Sequence, residues 1–473
     1  MIKLFKDKGF WITAFRLTVP VALQNLLTSS FVLVDTLLVS SLGTVALSSV
    51  GMVGQWAWLM NMILIGFCSA TTLFVSQYWG VKDDRSIRHY SGISVLFSLG
   101  VAILFTASSI LFPQQVVRLF NSDTGVITTG AAYMRIVSLS YIPIALTNIL
   151  AAVLRATENV KLPMYASGAT TLLNIFLDYV LIFGKWGFPK MGVEGAAVAT
   201  VASAWVGVAM ILVISMIQQN IIVTKSRLFF AFDKQEIKQY INKATPVVIN
   251  EGMWGFGTFI FNIIFGNMGY EYFSALTIVR SFENVAFVIF IGITGAASVM
   301  IGKSIGKGEI KRGIDDSKRF SVIVPVLAII ISVLIIVFRA QLVGVFNTGS
   351  NISQLAIDTA GMLMIIYAIA FPFRMFPFLQ IVAIFRAGGE TVAGAKAELA
   401  CLWVLSIPAT LIAVYLFKVP FVVAYLVMYV FEDIPKVIFC IRFYLSRKWI
   451  KPVTAEGRLG LKRYNESRGK KNE

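Results

Sequence analysis

The sequence is poor in the side chains that soluble enzymes use for chemistry. Only 14% of its residues are charged and it holds one histidine, while its three cysteines, Cys68, Cys401 and Cys440, lie in apolar segments without C-x-x-C spacing. Such cysteines offer neither a disulfide framework nor a metal site. The nearest approach to a P-loop, GAASVMIGKS at 295–304, separates its glycines by six residues instead of four. No catalytic triad is visible. We therefore expect a protein that is not an enzyme and has no cofactor.

Apolar residues are what the chain has instead, at 57% of 473 positions. Runs of 18 or more apolar residues recur along the whole chain, and each is long enough to cross roughly 30 Å of hydrocarbon as a helix. This pattern predicts an all-α membrane protein whose partner is the lipid bilayer. Twelve spans are expected, at 15–42, 45–78, 91–112, 127–153, 162–184, 193–219, 241–268, 273–303, 319–343, 352–385, 393–417 and 420–444.

The formal charge of +17 is concentrated in alternate loops and in the C-terminal tail. By the positive-inside rule this distribution is an orientation signal, and it places both termini in the cytoplasm, as an even number of spans requires. We therefore expect a multi-pass protein of the plasma (inner) membrane that binds no nucleic acid and acts as a monomer. The first apolar run has no A-x-A cleavage site and should be a retained helix.

The two halves of the chain repeat each other. A shift of 226 positions pairs matching residues without gaps for about a hundred positions, and later a shift of 231 pairs LRATE at 154–158 with FRAGG at 385–389. Two six-helix lobes in the same orientation follow, related by a pseudo-twofold axis along the membrane normal and facing a central cleft. Matching pairs at the first shift include Pro20 and Pro246, Gly43 and Gly269, Gly66 and Gly292, Gly80 and Gly306, and the segments 111–123 and 337–349. We predict an N-terminal lobe at 1–218, a cytoplasmic linker with a surface helix at 219–243, a C-terminal lobe at 244–446 and a basic cytoplasmic tail at 447–473.

Polar residues that occur in one half only are better candidates for function than residues that both halves share. Asp35 pairs with a phenylalanine in the second half, and Asn174 and Asp178, four residues apart on one helix face, pair with leucine and alanine. Asp35 and Asp178 lie at similar depths, roughly 28 Å and 24 Å from the cytoplasmic ends of their helices. Thr200 and Tyr133 fall in the same outer half of the lobe.

Such a group of oxygen ligands suits a hard cation such as Na⁺, whereas two close carboxylates in a low dielectric suit a proton. The sequence leaves both open. The alternative is a purely structural role, in which Asp35 and Asp178 only form hydrogen bonds between packed helices. Because each ionisable group in the membrane costs about 2.5–3.5 kcal/mol on insertion scales, we favour an ion site over packing.

The second half offers three weaker candidates. Glu251, near the middle of the seventh span, is either a cation or substrate contact in the cleft or a packing residue. Arg280 and Glu283 are three residues apart and should pair with each other. Arg374 sits where two prolines interrupt the tenth span, so it either lines a cavity or satisfies carbonyl groups that the prolines free.

Several ordered motifs resemble the multidrug and toxic compound extrusion (MATE) family over about residues 10 to 445. They are Pro20 followed by VDTLLVSSLG at 34–43, ALSSVG at 46–51, NIFLDYVLIFG at 174–184, GVEGAAVAT at 192–200, and the duplicated LRA or FRA turn. The resemblance implies twelve helices in two lobes, and export of organic cations or amphipathic drugs in exchange for Na⁺ or H⁺. It also implies that Asp35, Asn174, Asp178 and Thr200 form a first-lobe cation site, with Tyr133 as the neighbouring aromatic residue.

The second lobe departs from members that use a glutamate in the seventh helix, because Glu251 comes about one turn early and no aspartate accompanies it at 371–380. We therefore expect an alternating-access antiporter whose ion site is confined to the first lobe. The alternative is a flippase for a lipid-linked saccharide or other polyisoprenoid, which should carry several arginines for pyrophosphate. A channel or a transport-inactive scaffold is a third class.

Overall fold

A computed structural model describes residues 6–120, 123–223, 229–344 and 353–469. Apart from one isolated bridge between Gly389 and Ile450, regular structure in these ranges is helical. Eleven helices within them are long and apolar enough to cross a membrane. These are α1 (Lys8–Ser40), α2 (Thr44–Val81), α3 (Asp84–Leu111), α5 (Thr124–Ala156), α6 (Lys161–Phe183), α7 (Val193–Ile217), α8 (Lys234–Gly266), α9 (Tyr270–Gly306), α10 (Ile310–Gly344), α11 (Gln354–Gly388) and α12 (Val392–Leu416). The short α4 (Pro113–Arg118) precedes α5.

The twelfth predicted span forms a helix of 26 residues, α13 (Phe421–Ser446). At 1.5 Å per residue it is about 39 Å long, enough to cross the hydrocarbon. It is not uniformly apolar, however, because Glu432, Asp433 and Lys436 are buried near its middle. The fold is that of an all-α membrane protein with twelve long helices in two halves.

Helix boundaries confirm the internal duplication. Helices α1 and α8 each have 33 residues, and their first residues, Lys8 and Lys234, are 226 positions apart. The same interval separates the starts of α2 and α9, and of α3 and α10. Helices α6 and α12 begin 231 positions apart, which matches the second shift. Of the paired segments 111–123 and 337–349, residues 121–122 and 345–349 lie outside the described residues.

Local signals in the sequence set the helix ends. The Asp83 side chain accepts a hydrogen bond from the backbone N–H of Ser86 at 3.1 Å and so caps α3, and Asp123 caps α5 through the backbone N–H of Val126 at 3.0 Å. Gly184 ends α6 in the left-handed conformation, with φ of 67°. Gly184 thus determines where α6 ends and where the chain turns towards α7.

The chain divides into two compact units. The first unit comprises Val19–Val248, and the second comprises Met1–Thr18 together with Ile249–Glu473. The division falls inside α1 and α8, close to Pro20 and Pro246, rather than inside the predicted linker at 219–243. Both prolines lie within continuous helices.

The predicted surface helix of the linker is not a separate element. Residues 234–243 are the first turns of α8, and residues 224–228 lie outside the described part. In the first unit, Tyr240 is fully buried and stacks with Phe67 and Phe97. Glu236 accepts a hydrogen bond from His89 Nδ1 at 2.9 Å. The predicted surface helix is part of α8 because the basic linker carries an apolar stripe. That stripe packs against α2 and α3 instead of lying on the membrane surface.

The C-terminal tail is folded rather than extended. It forms α14 (Ala455–Gly469) in the second unit. Thr454 Oγ1 donates a hydrogen bond to the Gly306 carbonyl at 2.6 Å, and Lys451 forms an ion pair with Glu390. The tail is therefore held against the ends of α9 and α12.

Candidate ion-binding site

Helices α6 and α7 of the first unit pack closely along one face. Gly195 makes this possible, because a Cβ atom at that position would lie only 2.8 Å from the carbonyl carbon and oxygen of Leu181. Small residues allow this kind of backbone approach between membrane helices. The packing places the polar face of α6, with Asn174 and Asp178, against Thr200 and Ser203 of α7.

Asn174 is the hydrogen-bonding centre of this face. Hydrogen-bond complementarity selects the amide orientation in which Nδ2 donates to Asp178 Oδ2 at 2.6 Å. In that orientation Oδ1 accepts from Ser203 Oγ at 3.2 Å and lies 3.2 Å from the backbone nitrogen of Thr200. Asn174 and Asp178 are 3% and 0% exposed, so this network is closed to bulk solvent. Asn174 thus holds one oxygen of Asp178 in place.

One carboxylate oxygen of Asp35 and one of Asp178 are unsatisfied. Within the described ranges, the buried atoms Asp35 Oδ1 and Asp178 Oδ1 have no hydrogen-bond partner. Asp35 interacts electrostatically with Asp178, and both interact with the phenol of Tyr133, which is 6% exposed. An unpaired buried carboxylate oxygen is costly, so two of them in one site make it a candidate for binding a proton or a cation.

The donor set suits a small hard cation or a proton. Thr200 Oγ1 donates to the Ala196 carbonyl at 3.0 Å, which leaves the lone pairs of the hydroxyl oxygen available. Oxygen atoms of two carboxylates, an amide and hydroxyl groups are ligands that Na⁺ can use, by the same preference for oxygen that Ca²⁺ and Mg²⁺ show. The part of the chain that is described contains no group of three His, Cys, Asp or Glu residues arranged to hold a metal.

Sequence reasoning missed Ser203. The signal was present, because Ser203 follows Thr200 by three residues and therefore shares its helix face. Serine is common between membrane helices, and position alone gave it no priority over its neighbours. Its contact with Asn174 depends on the register between α6 and α7, which only the folded protein provides.

Glu251, one of the second-half candidates, forms an ion pair. Its Oε1 lies 2.8 Å from Arg386, and the two side chains are 16% and 5% exposed. Arg386 belongs to the FRA turn that marks the repeat. The carboxylate is thus already neutralised by a protein cation, and this geometry favours the packing role over the cation or substrate contact.

The predicted pair of Arg280 and Glu283 was wrong. In the described part of the second unit Arg280 donates to Asn262 Oδ1 at 2.5 Å, while Glu283 accepts hydrogen bonds from Tyr425 at 3.2 Å and Tyr429 at 3.0 Å. No ion pair joins the two residues there. Each finds a partner on another helix, because residues three apart on a buried helix also face different neighbours.

Arg374 is also placed differently from the prediction. The α-helical part of α11 runs without interruption from Gln354 to Phe378, through both prolines, and becomes a π-helix only at Leu379–Phe385. Arg374 therefore does not sit at a break. Its guanidinium lies 5.3 Å from the centre of the Tyr429 ring, among the acidic residues of α13.

A chain of this fold, with twelve long helices in duplicated halves and a buried pair of carboxylates, belongs to the class of polytopic membrane transporters. The model of the MatE family matches residues 20–180 and 246–412, one segment in each repeat. The chain belongs to the MatE family. Its members are membrane transporters.

Curated relatives and solved structures agree with that family. The chain is 24% identical over 443 residues, 92% of each chain, to a probable multidrug resistance protein NorM of Thermotoga maritima. It is 24% identical to the probable multidrug resistance protein YoeA of Bacillus subtilis, covering 85% of this chain and 86% of the relative. The MATE transporter VcmN of Vibrio cholerae in its bent form has a TM-score of 0.81 at 18% identity, covering 97% and 98% of the two chains. A MATE structure in complex with MaL6 has a TM-score of 0.83 at 18% identity, with 96% and 97% covered.

Widening the α6–α7 contact should impair transport. We expect Gly195→Val to slow transport by about 10-fold or more, because valine would push α7 away from Leu181 and separate Asn174 from Ser203. Efflux from vesicles and a thermal melt of the same preparation measure function and folding together. Gly100→Val is the matched control, since Gly100 lies on a helix with open space around it. Equal rates for Gly195→Val and Gly100→Val would show that this close approach is dispensable.

Proposed function

We propose that the protein is a secondary active antiporter that exports organic cations or amphipathic drugs in exchange for Na⁺ or H⁺. The observation that carries the proposal is the pair of carboxylates, Asp35 and Asp178, with a buried and unpartnered oxygen on each. Membership of the MatE family supports transport as the activity. The names of the two relatives, probable multidrug resistance proteins, support drugs as the substrates.

Asp178 and Asp35 bind the coupling ion, and Asn174, Ser203 and Thr200 position it. When the site is empty, the charges of the two carboxylates repel each other in a medium of low dielectric. A proton or Na⁺ that enters removes that repulsion and occupies the free oxygens. Because Asn174 Nδ2 already holds Asp178 Oδ2, the incoming ion is directed to the opposite oxygen. Tyr133 is the aromatic residue beside the two carboxylates.

Exchange follows if the ion and the substrate favour opposite conformations of an alternating-access cycle. A cationic substrate and a coupling cation that compete for the same negative charge exchange without both being bound at once. In this scheme binding of one releases the other, so uphill export of the substrate draws on the ion gradient.

The flippase alternative gains no support from the arginines that it would need. Arg280 is bound to Asn262, Arg374 is surrounded by acidic residues, and Arg135 is exposed. A pyrophosphate group requires several arginine side chains that converge on one anion.

We place the protein in the plasma membrane as a monomer with both termini in the cytoplasm, and we retain lobes at 1–218 and 244–446 joined by the segment 219–243. The basic tail at 447–473 lies on the cytoplasmic side. A single cysteine introduced into the tail tests this orientation. A membrane-impermeant thiol reagent should label it in inverted vesicles but not in intact cells.

The decisive experiment imposes one gradient at a time. Purified protein in vesicles should drive a fluorescent cationic dye uphill with either a Na⁺ gradient at uniform pH or a pH gradient without Na⁺, at a clamped membrane potential. The gradient that works identifies the coupling ion. Uphill movement in neither arm, from protein with an intact thermal melt, would refute the antiporter proposal.

A further inference from the structure

Helix α13 carries a buried charge cluster that the proposed first-unit site does not use. Glu432, Asp433 and Lys436 are 5%, 2% and 6% exposed, and their spacing of three and four residues puts them on one face. Lys436 Nζ lies 2.7 Å from Glu432 Oε1 and 3.8 Å from Asp433 Oδ1. The Lys436 ammonium group is therefore paired with two carboxylates, and its contact with Glu432 is the shorter one.

Asp433 is left incompletely paired. In the described part of the second unit its Oδ2 is buried and has no hydrogen-bond partner. Burial of a carboxylate oxygen without a donor is unfavourable, and a long ion pair through the other oxygen does not remove that cost. The unpartnered atom of a side chain that is 2% exposed points to a ligand that satisfies it.

Charged groups from three other helices face this cluster. Arg374 of α11 interacts with Glu432 and Asp433, and Glu398 of α12 interacts with Asp433 and Lys436. Glu283 of α9 interacts with Arg374. Glu398 is held by Asn250 Nδ2 at 2.8 Å, and the Oδ1 of that buried amide has no partner among the described residues. Glu398 also faces Glu251, whose charge is balanced by its ion pair with Arg386. The charged groups that remain to be balanced are Glu283, Glu398, Glu432, Asp433, Arg374 and Lys436.

These six groups do not balance. Four carboxylates and two cations leave a net charge of −2 when all are ionised, in a region where α9, α11, α12 and α13 pack together. Excess charge of one sign inside a membrane protein is unfavourable unless an ion compensates it. A proton fits better than Na⁺, because Na⁺ needs several oxygens at once and would be repelled by Arg374 and Lys436. A proton needs one oxygen, and Asp433 Oδ2 is free.

We propose that the charge cluster of α13 binds one exchangeable proton, carried on Asp433 Oδ2. The proton comes from water and returns to it, and no other bond is made or broken. Bound, it turns Oδ2 into a hydrogen-bond donor and reduces the net charge of the cluster from −2 to −1. This proposal departs from the expectation that ion binding is confined to the first half. The binding itself is independent of the proposed antiport, and only its contribution to the number of protons moved per cycle rests on that function.

Infrared difference spectroscopy of the purified full-length protein during a pH titration tests the proposal. Protonated carboxyl groups give a carbonyl band that carboxylates lack. We expect Asp433→Asn to remove one component of that band. Asp358→Asn is the matched control, because Asp358 is an exposed acid outside the cluster that accepts a hydrogen bond from Gln354 at 2.9 Å, and this variant should keep the component that Asp433→Asn removes.

Lys436→Met supplies the opposite change and separates proton binding from simple damage. Loss of the ammonium group increases the negative excess, so the proton should be held to a pH at least about one unit higher. Asp433→Glu should restore the component if Asp433→Asn fails to fold. A band identical in Asp433→Asn and the unmutated protein, or a Lys436→Met midpoint that is unchanged or lower, would overturn the proposal.

The same titration distinguishes this inference from the proposed function. Asp178→Asn protein should keep the component that Asp433→Asn lacks, and Lys436→Met should shift that component in the Asp178→Asn background as well. Failure of dye transport to depend on Asp178 would refute the first-unit ion site, and uphill movement with neither gradient would refute the antiporter; both would leave the α13 result standing. Loss of the component in Asp178→Asn alone would assign the proton to the first unit and refute the inference.

Discussion

Asp178→Asn is expected to abolish ion-driven accumulation of substrate while the protein still folds. Asparagine keeps the shape of aspartate and can still hydrogen-bond to Asn174, but it cannot be neutralised by a proton or bind Na⁺ as a charge. A potential of 100 mV acts on each elementary charge with about 2.3 kcal/mol, so loss of one coupled cation should lower the accumulation ratio by about 50-fold. The ratio of internal to external dye at steady state measures this directly.

Asp35→Asn should have the same effect, because both carboxylates are needed for the repulsion that an incoming cation relieves. Asp358→Asn serves again as the exposed control and should transport at the unmutated rate. The first-unit site is wrong if Asp178→Asn protein, stable in a thermal melt, still concentrates the dye to the unmutated ratio across pH 6 to 8.

Most of the fold could be predicted from the sequence. The two signals that define it, long hydrophobic runs and the internal repeat, each recur many times along the chain. Hydrophobic runs long enough to cross a membrane located the spans, and the 226-residue shift between Lys8 and Lys234 reappears in the helix boundaries. Where prediction failed, the sequence was locally ambiguous. Residues 234–243 are basic with an apolar stripe, a pattern that suits a surface helix and the packed start of a span equally well.

Partners of individual side chains were harder to predict than the helices that carry them. Arg280 and Glu283 have the spacing of a helical ion pair, yet each bonds to a residue of another helix. The charges of α13 were overlooked because Glu432 and Lys436 interrupt an otherwise apolar run, and averaging over the run hides them. Sequence spacing determines which residues share a helix face, whereas the residues of the neighbouring helix determine their hydrogen-bond and ion-pair partners.

The ion pair between Glu251 and Arg386 gives the second large expected effect, and this one is on stability. Arg386→Met would leave Glu251 buried without its cation, and breaking a buried pair from one side costs about 3–5 kcal/mol. We expect a marked fall in thermal stability in detergent. The double variant Glu251→Leu with Arg386→Met should recover much of the loss, since replacing both charges by apolar groups is often neutral.

Glu251→Gln separates this structural role from ion coupling. Glutamine can still accept a hydrogen bond from Arg386, so the variant should be more stable than Arg386→Met and should transport closer to the unmutated rate than Asp178→Asn does. The reverse ranking, with Glu251→Gln folded but unable to accumulate dye and Asp178→Asn active, would move coupling to the second unit. A double variant no more stable than Arg386→Met would mean that Arg386 stabilises the FRA turn through its other contacts rather than by compensating Glu251. Arg386 lies in the turn that both repeats share, whereas Glu251 pairs with the uncharged Asn25 at the shift of 226. The two outcomes therefore separate a feature of the fold from a feature of this half alone.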